Sequence, residues 1–588
     1  METIEPVQRR DYLCVAAFTL LLYAAVLAFG GPLTMHEGVL SQTTKAMLAD
    51  RDWLVPHYGD APWLERPPLP QWISCAICTV IGHCDEEWNV RIGPALAGTL
   101  TVLLTLWLAG RFFGRAVAVT SALILATMYN FVRYSTLAEA DIFLAPIVGA
   151  ALCAFAYSEM LRAFPSPSAE RGISADPLAG RSGSDRSDTN NFFGKRPWCV
   201  LLFFVLLGMT NLAKGLVFGM VIVMAPIGVF MVWNYSRRSL LIFLGLFGWA
   251  CVSKAVGLGT LIGMGPLAGF FLWHIRLFTR YLWLWGWLAF AAVAVPWPVL
   301  AYLRYPGTLE LWQCDLFTRL NGNYLGEPPW YYFECLTWVT QPWLIAVVGG
   351  LSLTFRKVWD EGSPPLRFVW CWAWMPILVY SLADGKHHHY MLHYLAPWAI
   401  LAAHGAVAFW QRLAERWALG NRMVGIVAAA FACLFLLYAG GFAYKGAYLH
   451  RSREDTAFLF EARRQVPLDQ PLMINSADEA LEGLRMQFYL SDSTFFLHNL
   501  SFVRDDRIHG ADIYVVTRFN RKPELEKYGT VESIIKCKQS RRETSEEDRW
   551  TLFHVHLRED LERKSAKQPF TPMQAMYRQM GPDLDTLP

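Results

Sequence analysis

"MHEGVLSQTTKAMLADRDWLVPHYGDAPWLERPPLPQW", residues 35–72, follows directly on the first long apolar segment of the chain, "RRDYLCVAAFTLLLYAAVLAFGG" at residues 9–31. An acid at Glu37, tryptophans at 53, 63 and 72 and an Arg-Pro-Pro step beside about 20 apolar residues make the pattern of a membrane-interface segment. Arg9 and Arg10 precede the apolar run, which is longer than a signal-peptide core and has no small-residue cleavage site after it. The reading is an uncleaved anchor with its N-terminus in the cytoplasm.

The rest of the chain repeats the theme. Of its 588 residues 54% are hydrophobic and 17% charged, against about 25% charged in soluble domains. Apolar blocks recur near 91–110, 116–133, 143–162, 198–213, 216–233, 282–303, 335–354, 367–383, 390–410 and 422–441, and 239–275 reads as two more spans around a glycine-rich turn. The expected fold is an all-α polytopic membrane bundle of 11–13 transmembrane helices; either count is odd, so the two termini lie on opposite sides. Arg111 and Arg115, Lys195 and Arg196, Arg237 and Arg238, Arg276 and Arg280, Arg356 and Lys357, and Arg412 and Arg416 fall on the side assigned to the cytoplasm, as the positive-inside rule requires.

One cytoplasmic loop, 164–197, is rich in Ser, Asp, Gly and Arg and is expected to be disordered. Cysteines such as Cys14, Cys75, Cys153 and Cys199 sit in apolar segments and read as small core residues without a disulfide framework. After about residue 445 the runs "PLMINS", "QFYLS", "STFFLH" and "ADIYVVTRF" alternate with helix-compatible stretches such as "REDTAFLFEARRQV". They predict a small soluble α/β domain over 446–562, on the outer face, followed by a flexible tail at 563–588.

Chemistry is concentrated in the outer loops. The first, 31–90, is too long for a connector; "TTKAMLADRDWL" suits an amphipathic helix lying in the interface, and Pro67-Pro68 hold the backbone extended so that Glu65 and Arg66 project in fixed directions. Lys214 in "NLAKG" lies between two apolar runs, where an ionisable residue is a functional candidate by default. "KHHHY" at 386–390 invites a metal reading with His387 and His389 as ligands and Glu65 or Asp384 as oxygen partners; headgroup contact is the competing reading.

The 35–72 stretch resembles the first-loop signature of the bacterial GT-C glycosyltransferases, in the branch of the aminoarabinose–lipid A transferases and protein O-mannosyltransferases. Met47-Leu48, Asp52-Trp53, Pro56, Glu65, Pro67-Pro68-Leu69 and Trp72 match that pattern position by position. "RIGPALAG" from Arg91, "AEADIFLAP" with Asp141, "NLAKGLVFG" with Lys214, "VPWPVLA" with Pro296-Trp297, and "SLADGKHHHYMLHYLAP" with Lys386 and Tyr390 follow in family order. The resemblance covers about residues 10–445. There are departures: the family's leading Asp is His36 here, its Lys before Pro-Pro is Arg66, and its Tyr is Leu40.

The resemblance implies a transmembrane catalytic domain over 1–445. It would pass a sugar from a polyprenyl-phosphate donor to a lipid, glycan or protein acceptor on the periplasmic face of the bacterial inner membrane, with inversion, lipid A modification being one instance. Glu37 and Asp141, with His36, are the candidate catalytic groups. Arg66, Lys214, Lys386, Arg91 and Arg319 are the candidate lipid-phosphate ligands. Membrane lipids are expected partners and nucleic acid is not; a divalent metal is the only cofactor raised. A lipid or polysaccharide transporter and an inactive lipid-phosphate-binding relative are the alternatives, the second because of His36.

Overall fold

Apolar blocks of 18 residues and more have one way to satisfy their backbone in hydrocarbon, which is to become helices. In the computed structural model they do. The structure describes residues 5–58, 61–163, 197–215, 218–255, 260–313, 327–383, 385–420, 422–449, 453–470, 472–476, 480–490, 494–496, 500, 511–538 and 545–561. The loop expected at 164–197 (but for its last residue), Arg319, Asp384 and the tail at 563–588 lie outside them.

The first half of the bundle runs α1 (Arg9–Ala28), α2 (Met35–Asp50), α3 (Leu69–Ile81), α4 (Glu87–Thr127), α5 (Tyr129–Ser135), α6 (Leu144–Ala163), α7 (Pro197–Lys214) and α8 (Phe218–Tyr235). Next come α9 (Arg237–Ala255), α10 (Thr260–Trp273), α11 (Leu284–Ala294) and α12 (Pro296–Arg304). Helices Tyr331–Val339, Leu344–Trp359, Pro364–Ser381, Leu395–Arg416 and Arg422–Tyr444 complete it. α4 accounts for two expected blocks: Gly114, at φ 82°, bends it between them, in a region where a side chain is strained. Among the described residues seven helices are individually long and apolar enough to cross a membrane. Tyr331–Val339 and Leu344–Trp359, bent by 113°, make an eighth if they form one span. The other expected blocks are helical too but fall short of that length or apolarity.

Burial sorts the helices. The span ending at Met160 has 83% of its apolar window inside the protein, whereas Arg422–Tyr448 has 11% and turns its leucines outward, as a lipid-facing helix does. Where Leu344–Trp359 crosses Leu395–Arg416, Gly350 lies against the Leu401 carbonyl and Gly405 against that of Ala346, with no room for a Cβ on either. Small residues are what let membrane helices approach this closely.

The two ends of the bundle differ. At one, Arg115 grips Asp11 with Nε and Nη2 at 2.7 and 2.8 Å. At the other lie segment 31–90 and the C-terminal domain. That domain is a five-stranded sheet, β3 (Leu472–Asn475), β4 (Thr494–Phe496), β5 (Asp512–Arg518), β6 (Gly529–Lys536) and β7 (Trp550–Leu557), in the order β4-β3-β5-β7-β6. β3 is parallel to β4 and β5; β7 is antiparallel to β5 and β6. Helices Arg453–Gln465 and Ala480–Tyr489 pack with it.

Two local expectations are corrected. "QFYLS" is not a strand: Gln487, Phe488 and Tyr489 form the last turn of helix Ala480–Tyr489. Nor is "TTKAMLADRDWL" a helix of its own: its first eight residues end a longer one. α2 begins earlier, at Met35, capped by Thr34, and one side of it is covered by helix Ala480–Tyr489. Gly38 meets the Arg485 backbone so closely that an added Cβ would lie 2.6 Å from its nitrogen. Lys45 Nζ donates to the Phe488 carbonyl at 3.0 Å. Tyr489 Oη accepts from Leu33 N–H at 2.8 Å and donates to Glu87 Oε1 at 2.9 Å.

Candidate active site

Segment 31–90 is fastened down by indoles. Trp72 Nε1 donates to the Trp53 carbonyl at 2.7 Å, Trp297 Nε1 to that of Leu54 at 2.8 Å and Trp312 Nε1 to that of Leu64 at 2.8 Å. Arg304 at the end of α12 pairs with Asp52 at 2.8 Å. Between these anchors a two-residue hairpin, β1 (His57–Tyr58) with β2 (Ala61–Pro62), hands the chain to Glu65, Arg66 and the Pro-Pro step.

Arg66 thereby reaches Asp141. Its Nη1 lies 3.9 Å from Asp141 Oδ1, with Nε 3.6 Å from Glu65. Asp141 sits on the short 3-10 turn Ala140–Phe143 that leads into α6. Lys214, the last residue of α7, is ion-paired with Asp141. Gly215 ends that helix at φ 97°, a conformation that suits glycine. Lys214 Nζ also rests over the rings of Tyr390 (4.4 Å) and Phe218 (4.6 Å). His389 Nε2 approaches the other oxygen of Asp141, Oδ2, at 3.8 Å. Lys214 and Asp141 are almost fully buried, while the Arg66 side chain keeps 28% of its surface. Asp141 thus has two cations, Lys214 and Arg66, and an imidazole around it in a nearly dry site, with Arg66 on the open side.

The other expected residues fall elsewhere. Glu37 is wholly buried and holds Arg91 in two hydrogen bonds, while also accepting from Thr34 N–H at 2.8 Å and Ala138 N–H at 2.9 Å. Arg91 spends its remaining donors on the Gly31 and Pro32 carbonyls at 2.9 and 3.3 Å. His36, beside them, is exposed. Lys386 is buried and donates to the Glu327 carbonyl at 2.8 Å. The metal set His387, His389 and Glu65 is not gathered: the two imidazoles stack on each other at 5.0 Å, and among the described residues no three His, Cys, Asp or Glu side chains are grouped to hold an ion.

Several residues at the site, Arg133 and Tyr380 among them, had no motif to announce them, whereas Tyr390 stands in the quoted "KHHHY". Arg133 closes an apolar block and reads in sequence as an end charge. It lies over the Tyr134 ring at 5.3 Å, and its Nε is buried without a hydrogen-bond partner. Tyr134 Oη is 2.9 Å from His388 Nε2. Next to the Lys214 platform, Phe218, Tyr380 and Tyr390 pack ring on ring, and Tyr332 and Tyr394 join through Tyr380. The hydroxyls of Tyr380 and Tyr394 and both ring nitrogens of His393 are buried without partners. For Tyr390, His393 and Tyr394 the signal is aromatic density after "KHHH", which reads equally well as an interface belt; Phe218, Tyr332 and Tyr380 come earlier in the chain.

Comparison with known proteins bears out the resemblance. Residues 65–162 match the family model described as dolichyl-phosphate-mannose-protein mannosyltransferase. Among curated proteins, the undecaprenyl phosphate-alpha-4-amino-4-deoxy-L-arabinose arabinosyl transferase of Erwinia tasmaniensis is 25% identical over 410 residues, covering 67% of this chain and 60% of that protein. The transferase of the same name from Shewanella sediminis is 22% identical over 441 residues, covering 72% and 65%. The chain thus spans less than two thirds of the length of these relatives. Among solved structures, ArnT from Cupriavidus metallidurans bound to undecaprenyl phosphate superposes with a TM-score of 0.62 at 14% identity, covering 94% of this chain and 99% of that one. Its apo state gives 0.63 at 15%, covering 92% and 97%. The chain has the ArnT fold.

Proposed function

We propose that this multi-pass membrane protein transfers a sugar from a polyprenyl-phosphate carrier to a lipid, glycan or protein acceptor on the outer face of the bacterial inner membrane. The N-terminus is cytoplasmic in this reading; segment 31–90, the site and the C-terminal domain face the periplasm. The observation that carries it is the buried Asp141–Lys214 pair with Arg66 beside it, at the end of an ArnT-like fold where both soluble parts of the chain gather.

The chemistry is a direct displacement with inversion. An acceptor hydroxyl or amine attacks the anomeric carbon, the bond from that carbon to the phosphate oxygen breaks, and the polyprenyl phosphate departs. Lys214 and Arg66 lie where they offset its charge, which is most effective in a dry site; Arg is suited to a bidentate phosphate contact. A phosphate arriving at Lys214 replaces Asp141 as its counter-ion and frees that carboxylate to take the acceptor proton. The partnerless hydroxyls of Tyr380 and Tyr394 and the His393 ring supply hydrogen bonds to the polar sugar, since a buried polar group left unpaired costs about 1–3 kcal/mol. Glu37 has its oxygens committed and acts as a positioning residue, with Arg91 as its partner and not as a phosphate ligand. No step is routed through a metal, whose expected ligands are not gathered.

The test is purified protein in liposomes with a radiolabelled polyprenyl-phosphate sugar and candidate acceptors. Release of free polyprenyl phosphate by the wild type supports the enzyme. Lipid movement without cleavage supports a transporter. Binding alone supports an inactive relative, the alternative that His36 raises.

A further inference from the structure

α3 ends at Ile81, and Gly82, at φ 95°, reverses the chain with its N–H on the Cys78 carbonyl at 2.8 Å. The reversal lays residues 83–86 back along the end of α3. It brings Cys84 Sγ to 2.9 Å from Cys78 Sγ, both thiols buried. The turn around them is pinned on two sides. Asn89 Nδ2 stands 2.7 Å from His83 Nδ1 and donates to the His83 carbonyl at 3.3 Å. Asp85 pairs with Lys45 of α2 at 2.8 Å.

A disulfide has its sulfurs about 2.05 Å apart, so closing this pair asks for less than an ångström of movement. The third thiol nearby, Cys75, stands one helical turn before Cys78 but lies 3.6 Å from the Thr44 carbonyl. The Cys75-Ala-Ile-Cys78 spacing is a sequence signal that the small-apolar reading of the cysteines leaves aside.

We propose that Cys78 and Cys84 are joined as a structural disulfide in the mature protein. This rests on the outward orientation of the proposed function, since an oxidising compartment is where such a bond forms and persists. One thiolate of the pair attacks the disulfide of a periplasmic thiol oxidase to give a mixed disulfide. The second thiolate displaces the oxidase's dithiol; the pair loses two protons, and its two electrons reduce the oxidase. Both sulfurs are buried in the folded chain, so the exchange happens while segment 31–90 is still folding. The finished ring closes the α3–α4 connection a few residues before Arg91 and fixes the approach of the Glu37–Arg91 pair.

The experiment uses full-length protein in spheroplasts carrying Leu468→Cys, at a 91% exposed position of the C-terminal domain. A membrane-impermeant maleimide is applied first; the protein is then denatured in N-ethylmaleimide with or without prior reduction, and peptides are read by mass spectrometry. The expected result is Leu468→Cys labelled from outside, with Cys78 and Cys84 unalkylated, cross-linked and two hydrogens light until reduced. Reductant should lower the melting temperature of the wild type and leave that of Cys84→Ser unchanged. Full alkylation of Cys78 and Cys84 without reductant, or a Cys75–Cys84 link, overturns the proposal when Leu468→Cys is labelled. Failure of Leu468→Cys to react overturns the orientation and this proposal with it. A cross-link found in protein that does not cleave the carrier upholds the disulfide and counts against the function.

Discussion

The Glu37 carboxylate and the Arg91 guanidinium meet in two hydrogen bonds, Nε on Oε1 at 2.7 Å and Nη2 on Oε2 at 3.1 Å, and neither side chain reaches solvent. Burial works against the Glu37 charge, but the charge and hydrogen bonds of Arg91 and the N–H groups of Thr34 and Ala138 outweigh it and hold the carboxyl below its usual value. One ion pair thus ties α2 to α4 and to the strand of chain that runs from Ala138 to Asp141. In the proposed function its role is to place the site.

Removing one partner strands the other charge. Arg91→Ala should cost about 3–5 kcal/mol, the usual penalty for breaking a buried pair. Denaturant unfolding in detergent measures it. Glu37→Gln/Arg91→Gln, with no charge left to bury, should recover part of the loss.

Lys214→Met should weaken binding of polyprenyl phosphate about 10- to 100-fold, the worth of a charged hydrogen bond at about 1.5–3 kcal/mol. Titration of the purified variant with the lipid phosphate reads it directly. Unchanged affinity would remove Lys214 from the donor site.

Glu139 carries a pH signature. Burial, then the charges of Asp141 and Glu37, push its carboxyl up to about 8, with Arg133 and Arg66 opposing. The folded state therefore keeps a proton that the unfolded chain has already released, so stability falls as pH rises from the ordinary carboxylate range through about 8. Melting curves taken across that window should show the fall in the wild type and a flatter profile in Glu139→Gln, which cannot ionise.

Gly38→Ala places a Cβ 2.6 Å from the Arg485 nitrogen and 2.9 Å from its Cα, both backbone atoms that cannot swing aside. It should loosen the C-terminal domain from α2 at a cost of about 1–3 kcal/mol. Limited proteolysis should cut the domain faster in the variant, and spans away from α2 should melt as before.

Much of the bundle was legible because hydrocarbon leaves the backbone few choices, so that block length gives the helices. "PLMINS", "STFFLH" and "ADIYVVTRF" contain β3, β4 and β5, but "GTVESIIK" and "WTLFHVHL", which supply β6 and β7, lie outside the expected runs. "QFYLS" misled because its apolar residues face a partner helix far away in sequence, which no local period reports. At the site, Asp141, Lys214 and Arg66 were marked by charge in apolar or proline-rich surroundings. Glu37 carried the same mark, and only its three-way hydrogen bonding distinguishes a fixed structural acid from one open to chemistry. Arg133 and the tyrosines around Tyr380 were hidden, since an aromatic at the end of a span looks the same whether it meets lipid or a ligand.

The proposed displacement turns on Asp141 acting at the reacting centre. Its most direct measurement is the single-turnover rate of polyprenyl phosphate release by Asp141→Asn in liposomes, normalised to folded protein. The expected result is a fall of about 10²-fold or more with the donor still bound; a rate within a few-fold of wild type would take Asp141 out of the chemistry.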